Sequence, residues 1–263
     1  MPKTIENTRE PDETFVRRDD VETAHDAATD ELAPHFAGVR EPKILMTTNE
    51  HPSTKLLKFV FGELRSIFPT ARAFKRQNFS LRDILRFAEE YHYTDVIVVN
   101  EDRKIPNGIL FIHLPDGPTA YFKLTNIRTK EQIGRFRARQ SGVRPELILN
   151  NFGTRLGHTI GRLFAALFPH NPQFRSRRVI TLHNQRDFIF FRQHRYIFEA
   201  NPDANEKPLP GRERPKPVIC RLQEVGPRFT LKLQYLQSGV FDGSRGDFEY
   251  VRQREESRRK FNL

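Results

Sequence analysis

The sequence carries one helical pattern twice, as STKLLKFVFGELRSIFP in residues 53–69 and as GTRLGHTIGRLFAALFP in residues 153–169. In both copies, apolar side chains recur every three or four residues, which is the spacing of the buried face of an α-helix. Both copies end in Phe-Pro, and a proline ends a helix because it has no amide hydrogen to donate. We therefore predict two equivalent helices, 100 residues apart, in a fold made of two duplicated halves.

The first half alternates strands and helices around its copy of this pattern. A second helix is predicted to start after Ser80, whose side chain can cap the helix together with Asp83 three residues later. The turn at residues 115–118, Pro-Asp-Gly-Pro, joins two apolar runs that should form a β-hairpin. The strands of this half are predicted at residues 44–48, 95–99, 108–114 and 119–124. The first half is therefore predicted to be a mixed α/β layer.

The second half is predicted to be mostly β-structure after its helix. Its strands are predicted at residues 179–182, 188–192, 196–199, 218–222 and 229–236. Residues 187–191, DFIFF, resemble residues 95–99, DVIVV, at an offset of 92 residues. We therefore predict that these two strands are equivalent in the duplication. The proline-rich residues 201–217 are predicted to form a loop.

Charge divides the chain into regions. Residues 1–40 contain five Lys or Arg against ten Asp or Glu, with few aromatic residues and no sustained periodicity, so we predict an extended acidic tail. The whole chain carries a net charge of +11, so the remaining residues carry +16. A surplus of this size favours polyanions such as RNA. The predicted regions are the acidic tail at 1–40, a folded domain at 41–250 with halves at about 41–145 and 146–250, and a basic tail at 251–263.

Cysteine content and hydropathy exclude several classes of protein. Cys220 is the only cysteine, so neither an intramolecular disulfide nor a thiolate zinc site can form, and a reducing compartment is expected. No apolar stretch approaches the roughly 18 to 20 residues that a membrane span needs. The first ten residues are polar, unlike a signal peptide. We therefore expect a soluble protein that is not secreted and has no membrane partner.

Motifs that carry catalysis are missing from the sequence. No segment has the glycine spacing and Gly-Lys-Ser/Thr ending of a P-loop, the Gly-x-Ser-x-Gly nucleophile elbow, or two histidines at the helical spacing of a zinc site. Asp and Glu are plentiful but stand in no recognisable motif, so a nuclease or RNA-modifying enzyme stays open as an alternative. We predict that the protein is not an enzyme and needs no cofactor or metal.

Two arginine-rich clusters are the candidate RNA-binding sites. Arginine binds phosphate with two parallel hydrogen bonds and also stacks on bases, and neighbouring aromatic rings can stack as well. The first cluster contains Arg128, Lys130, Arg135, Arg137, Arg139 and Arg144. The second contains Arg175, Arg177, Arg178, Arg186, Arg192 and Arg195, near the aromatic residues Phe188, Phe190, Phe191 and Tyr196. The alternative is that the charges solvate exposed faces while the aromatic residues fill the core.

Four segments together resemble a Brix domain. They are Pro42–Thr48 followed by Pro52-Ser53, Asn150–Gly157 followed by Phe168-Pro169, Arg186–Arg192, and Glu224–Leu231. The resemblance covers about residues 41–250. The last segment is similar to the stretch that is likened in this family to a sigma-factor RNA-binding motif, and Gly226, Pro227, Arg228 and Phe229 stand at its head. These four residues are therefore added to the candidate RNA-binding set.

The resemblance implies both a fold and a function. The implied fold is a duplicated α/β fold in which each half is similar to an anticodon-binding domain. The flanks at residues 2–9 and 257–261 resemble a large-subunit branch of the family, in which a longer basic extension before Pro2 is expected, so the sequence would be a trimmed form. The implied function is that of a non-catalytic, nucleolar assembly factor in the nucleus.

The implied partners are precursor ribosomal RNA (rRNA) of the large (60S) subunit, a dedicated protein partner in a heterodimer, and ribosomal proteins. Two alternatives remain at this stage. One is a protein-interaction adaptor within a pre-ribosomal particle, and the other is a member of the family that acts on the small subunit.

Overall fold

The computed structural model describes most of the chain. The described residues are 2–5, 7–10, 13–16, 20–68, 70–134, 144–170, 177–201, 217–241, 247–253 and 260–263. The strands are β1 (Ile44–Thr48), β2 (Arg72–Ala73), β3 (Asp95–Asp102), β4 (Ile105–His113), β5 (Thr119–Arg128), β6 (Glu146–Asn150), β7 (Arg178–Gln185), β8 (Phe188–Ala200), β9 (Val218–Glu224), β10 (Arg228–Gln237) and β11 (Phe248–Val251). The helices are α1 (Val21–Thr29), α2 (Ala33–Phe36), α3 (Thr54–Leu57), α4 (Leu81–Glu90), α5 (Lys130–Ile133) and α6 (Arg155–Ala166).

The first copy of the repeated helical pattern is longer than α3. It begins after Ser53, whose hydroxyl accepts a hydrogen bond of 3.2 Å from the Leu56 amide as an N-terminal cap. After α3 it continues as a π-helical segment (Lys58–Glu63) and a 3₁₀ turn (Leu64–Ser66). The predicted cap of α4 is also present, since Ser80 and Asp83 exchange hydrogen bonds as a capping box.

The strands form one mixed sheet that contains the predicted duplication. The order is β2-β1-β3-β4-β5-β10-β8-β7-β6, with β11 beside β10 and β9 beside β8. In the first half, β1 and β3 are parallel neighbours connected through α3, β2 and α4, and in the second half β6 and β7 are parallel neighbours connected through α6. Antiparallel strands follow in both halves, and the halves meet where β5 pairs with β10. The fold is therefore mixed α/β with two topologically equivalent halves.

The predicted equivalence of residues 95–99 with residues 187–191 is wrong. Strand β3 pairs in parallel with β1, the strand before the repeated helix, and in antiparallel with β4, and in the second half β7 has this position between β6 and β8. Residues 188–191 belong to β8, the counterpart of β4. The confusion has a physical reason, since any strand buried between neighbours reads as a short apolar run.

The core between the sheet and the repeated helices crosses from one half to the other. Phe164 of α6 lies against Phe111 and Phe122 of the first half, with ring centroids 5.6 and 5.4 Å away. In the reverse direction, Phe59 after α3 contacts Phe229 of the second half at 6.1 Å. Each helix is therefore buried partly by the strands of the other half.

The opposite face of the sheet differs between the two halves. In the first half, α4 covers this face by burying Ile84, Leu85 and Ala88 against the sheet residues Val96 and Leu110. The second half has no equivalent of α4 among the residues that the structure describes. One helix therefore breaks the symmetry of the duplication.

Residues 20–37, which were predicted to belong to an extended tail, contain helices α1 and α2. Helix α1 is capped by Asp20, which accepts a hydrogen bond of 3.2 Å from the Thr23 amide. Arg162 of α6 donates two hydrogen bonds of 2.7 Å to the carboxylate of Asp30. Leu32 is buried in the main core. The reason for the difference is that residues 20–37 fold against α6, a partner that lies far away in the sequence.

Two other predictions about the second half also differ from the structure. Strand β8 runs unbroken where two strands were predicted, and most of the predicted loop at 201–217 lies outside the described residues. The basic tail is described only in part, and its last residue, Leu263, is buried. Asp187 accepts hydrogen bonds of 2.8 and 2.9 Å from the amides of Asn262 and Leu263. In the described part of the chain, no helix has the length and apolar character to span a membrane.

The core that is shared between the two halves, which we call the crossed core, leads to a stability prediction. Replacing Phe164→Ala should lower the free energy of unfolding by about 3–5 kcal/mol, because it leaves a cavity against Phe111 and Phe122. Guanidinium denaturation followed by circular dichroism measures this change. The control Phe198→Ala removes the same ring at a site that is 65% exposed, and it should change stability by no more than about 0.5 kcal/mol. Equal losses in both variants would contradict the crossed core.

Candidate nucleic-acid interface

One face of the second half carries aromatic and cationic side chains at alternating positions. In β8, Ile189 and Phe191 belong to the core beneath the helices, so Phe188, Phe190 and Arg192 point to the opposite face. The same alternation places residues of β5, β7 and β10 on this face, and the cluster that contains α4 reaches these strands only at Tyr121 and Tyr235 among the described residues. We call this surface the open sheet face, and its residues are Lys123, Arg128, His183, Phe188, Phe190, Arg192, Arg228 and Lys232.

Strand register brings these residues together from both halves of the chain. Phe190 pairs with His183 on one side and with Thr230 on the other. At the junction of the halves, Arg228 pairs with Arg128. Directly paired side chains lie about 4.5–5.5 Å apart at their Cβ atoms. The aromatic and cationic rows are therefore close enough to contact adjacent parts of a single nucleotide strand.

The two rings of the open sheet face are already in contact with cations. The Lys232 ammonium lies 4.0 Å from the centroid of the Phe188 ring, and the Arg192 guanidinium lies 5.7 Å from that of Phe190. Phe188 is 39% exposed and belongs to neither core of the described residues. An exposed ring with a cation beside it offers a stacking surface for a base and a charge for its phosphate.

Glu224 lies between two arginines of the open sheet face. Arg228 donates a hydrogen bond of 3.2 Å to one carboxylate oxygen, and the Nε of Arg192 lies 3.9 Å from the other oxygen. Partial burial lowers the pKa of Arg192, and the nearby Glu224 opposes this shift. A guanidinium remains charged at neutral pH in either case. The three groups together keep one positive charge, and the carboxylate holds both guanidinium groups in position.

A second set of predicted cations lies on the helix side of the sheet. Arg178 is 7% exposed and donates a hydrogen bond of 3.1 Å to the Ser66 carbonyl. When the side-chain amide of Gln193 is oriented to satisfy its neighbours, its oxygen accepts a hydrogen bond of 2.9 Å from the Arg178 guanidinium. Its nitrogen donates a hydrogen bond of 2.6 Å to the Gly226 carbonyl. Burial lowers the pKa of Arg178, and the neighbouring Arg195 adds to this effect. Arg178 therefore joins the two halves, and its guanidinium is not free to bind a ligand.

Lys130 has a similar position between the halves. Its ammonium donates to the Ser66 hydroxyl and lies 4.0 Å from the Glu63 carboxylate. Burial lowers the pKa of Lys130, whereas Glu63 raises it. The same burial raises the pKa of Glu63, against the effect of Lys130. Lys130 is thus half-buried within an internal ion pair.

The segment that resembles the sigma-factor motif is a tight turn followed by a core strand. Gly226 has a φ of +62°, which favours glycine, and a Cβ there would lie 2.7 Å from the Ile133 side chain. Phe229 is 4% exposed, and its ring stacks on Phe191 with centroids 4.3 Å apart. Gly226 and Pro227 are buried as well. Of the four residues, only Arg228 lies on the open sheet face.

The match to a known family covers most of the sheet. Residues 50–235 match the family model described as the Brix domain. The chain belongs to the Brix family. Ribosome production factor 1 of Xenopus laevis is 47% identical over 266 residues, which cover 100% of this chain and 73% of that protein. Ribosome production factor 1 of Danio rerio is also 47% identical and is covered to 76% of its length.

Solved structures of other proteins are also similar to this chain. A probable ribosomal biogenesis protein from Aeropyrum pernix K1 is similar with a TM-score of 0.47 and 17% identity. The similarity covers 73% of this chain and 96% of that chain.

The remaining predicted residues that the structure describes lie at separate places on this Brix domain. Arg144 donates hydrogen bonds of 3.0 and 3.1 Å to the carboxylate of Glu41. Arg177 and Arg195 are exposed beside Arg178, and Arg186 lies in the turn between β7 and β8. Arg135, Arg137, Arg139 and Arg175 lie outside the described residues. The described members of the two sequence clusters therefore do not form one surface.

Sequence reasoning omitted two cations of the open sheet face, Lys123 and Lys232. Each stands alone between apolar neighbours in its strand, so neither belongs to a charge run. Alternation was the available signal, because a lone lysine between buried residues points to the opposite face. Among the described residues, no group of three or more His, Cys, Asp or Glu side chains is arranged to hold a metal ion.

The position of Arg178 gives a testable prediction about its role. Arg178→Ala should lower the free energy of unfolding by about 1–3 kcal/mol, because the Ser66 carbonyl and Gln193 lose a buried partner. The exposed neighbour Arg177→Ala should cost less than about 0.5 kcal/mol. Chemical denaturation of both variants makes the comparison. Unchanged stability together with weaker RNA binding by Arg178→Ala would instead assign this residue to an RNA contact.

Proposed function

We propose that this Brix protein is a non-catalytic RNA-binding factor in the assembly of the large (60S) ribosomal subunit. A role in ribosome biogenesis follows from the Brix domain and from relatives called ribosome production factor 1 that are 46% or 47% identical over the whole chain. The finer parts of the proposal are contact with precursor rRNA, the large subunit as the target, and the nucleolus as the site of action.

The open sheet face is the observation that carries RNA binding. It combines two partly exposed phenylalanine rings with five Lys or Arg side chains from β5, β8 and β10. Single-stranded RNA is commonly held on such sheet faces, where aromatic rings stack on bases and cations contact phosphates. Residues 41–263 also carry +16, which supports binding to a polyanion.

The non-catalytic part of the proposal is supported by the lack of nucleotide-binding and hydrolase motifs in the sequence. A dedicated protein partner in a heterodimer and contacts with ribosomal proteins also belong to the proposal, because the family resemblance implies them. The adaptor and small-subunit alternatives make different predictions for RNA binding, so experiments can separate them.

RNA affinity in solution tests the open sheet face. With five cations on five phosphates of a 12-nucleotide single-stranded RNA, the log of affinity should fall with the log of salt concentration at a slope of about −3.5. The triple variant Arg192→Gln, Arg228→Gln and Lys232→Gln should reduce this slope by about 2. Phe188→Ala should lose about 1–3 kcal/mol of binding free energy. Fluorescence anisotropy with labelled RNA over a salt series measures all three quantities.

The control for charge is the triple variant Lys55→Gln, Lys58→Gln and Arg65→Gln. It removes the same three charges from exposed positions away from the open sheet face. Its salt slope should stay within about 0.5 of the unmodified protein, because phosphate contacts are local. If both triple variants weaken RNA binding equally, the effect is one of net charge and the proposed surface is wrong.

RNA crosslinking in living cells tests the biological target. Sequenced fragments should be enriched in precursor rRNA of the large subunit, and the signal should fall in the variant Arg192→Gln, Arg228→Gln and Lys232→Gln. Enrichment in small-subunit precursor would reassign the protein to the other branch of the family. Crosslinks scattered over abundant RNAs would favour the adaptor function.

A further inference from the structure

A groove with an apolar floor lies at the end of the sheet formed by β1 and β2. The open sheet face lies on β5, β7, β8 and β10, towards the other end of the sheet. It has a volume of about 420 Å³ and runs between α4 and the segment that follows β2. Its floor is formed by Leu45 and Thr47 of β1, which are buried. Its walls are formed by the rings of Phe74, Phe79 and Phe87. We call this feature the edge groove.

The walls of the edge groove are unusually exposed for aromatic residues. Phe74, Phe79 and Phe87 are 46%, 57% and 40% exposed, and Tyr91 continues the same face of α4. The ring centroids of Phe74 and Phe87 lie 6.5 Å apart, and those of Phe87 and Tyr91 lie 4.4 Å apart. Contiguous exposed apolar surface of this kind is typical of a protein interaction site.

The groove lies beside an open edge of the sheet. Strand β2 pairs with β1 and, within the described ranges, with no other strand. Its outer backbone amide and carbonyl groups are therefore without a strand partner. An extended peptide can add to such an edge by main-chain hydrogen bonds, and an adjacent pocket then accepts one of its side chains.

The charge around the edge groove indicates the chemistry of the peptide. Residues 70–83 contain four cations, Arg72, Lys75, Arg76 and Arg82, against the single acid Asp83. Asp83 accepts hydrogen bonds of 3.1 and 2.5 Å from the Ser80 amide and hydroxyl. Arg76 is partly neutralised by Glu50 at 3.4 Å, whereas Lys75 is exposed on the lining of the groove. A ligand with Asp or Glu near its apolar side chain complements this rim.

We propose that the edge groove binds an extended acidic segment of a protein partner, which adds to the outer edge of β2 and inserts one apolar side chain between Phe74, Phe79 and Phe87. The three rings of the walls and the aliphatic side chains of Leu45 and Ile84, which also line the groove, favour an apolar side chain over a nucleobase, whose edge needs several polar partners. The proposal is independent of RNA binding, since none of its residues belongs to the open sheet face.

A selection from a phage-displayed library of random 12-residue peptides on the full chain tests the proposal. Enriched peptides should share an aromatic or aliphatic residue flanked by Asp or Glu. Their affinity, measured by fluorescence anisotropy with synthetic copies, should fall about tenfold or more in Phe79→Ala and in Lys75→Glu. Both residues are exposed, so circular dichroism should show unchanged folding.

Two controls separate this proposal from its competitors. Phe198→Ala, an equally exposed ring on β8, should bind the peptides normally, as should the variant Arg192→Gln, Arg228→Gln and Lys232→Gln. Peptides methylated on alternate backbone nitrogens should lose affinity if the segment pairs with β2. The proposal is overturned if no acidic peptide is enriched, if Phe79→Ala and Lys75→Glu bind as well as the unmodified chain, or if Phe79→Ala instead weakens RNA binding.

Discussion

The rest of the structure depends on how the two repeated helices pack, because each is buried partly by the strands of the other half. Phe164 of the second half is enclosed by Phe111 and Phe122 of the first, while Phe59 of the first half contacts Phe229 of the second. Neither half can bury its own helix fully without the other, so the halves fold as one unit. The pairing of β5 with β10 is fixed by the same contacts. This matters for the open sheet face, because its residues come from strands on both sides of that junction.

A single asymmetric helix accounts for both surfaces that we assign to binding. Helix α4 covers one face of the first half, and the described part of the second half contains no counterpart. The equivalent face of the second half therefore leaves Phe188 and Phe190 accessible. On the first half, the same helix leaves a gap beside β1 and β2, which becomes the edge groove. A symmetric duplication would have neither this pair of surfaces nor their separation.

Local signals were predictable from the sequence, and contacts between distant residues were not. The cap at Ser80 and the four longer strands of the first half were predicted, since neighbouring residues determine them, whereas the two-residue strand β2 was not. Strand β8 was predicted as two pieces because polar Gln193 interrupts its apolar pattern, yet Gln193 is buried and paired with Arg178. Helix α1 buries none of its residues and was not predicted, because it is held by an ion pair between Glu22 and Arg155 of α6. For the site, sequence could identify Arg192 and Arg228 as cations, but it could not show that Arg178 faces the opposite side.

The position of Glu224 determines how strongly the open sheet face can hold an anion. Arg192 and Arg228 are each about 30% exposed at the side chain and share the carboxylate of Glu224, itself 24% exposed. A phosphate that binds there would compete with Glu224 for the guanidinium groups. Each phosphate contact would therefore contribute less binding free energy than a contact with an unpaired arginine. In return, the guanidinium groups lose little conformational freedom on binding, because the carboxylate already orients them. For the proposed RNA binding, affinity at this surface would depend on many modest contacts acting together, with stacking on Phe188 and Phe190 contributing the part that salt does not screen.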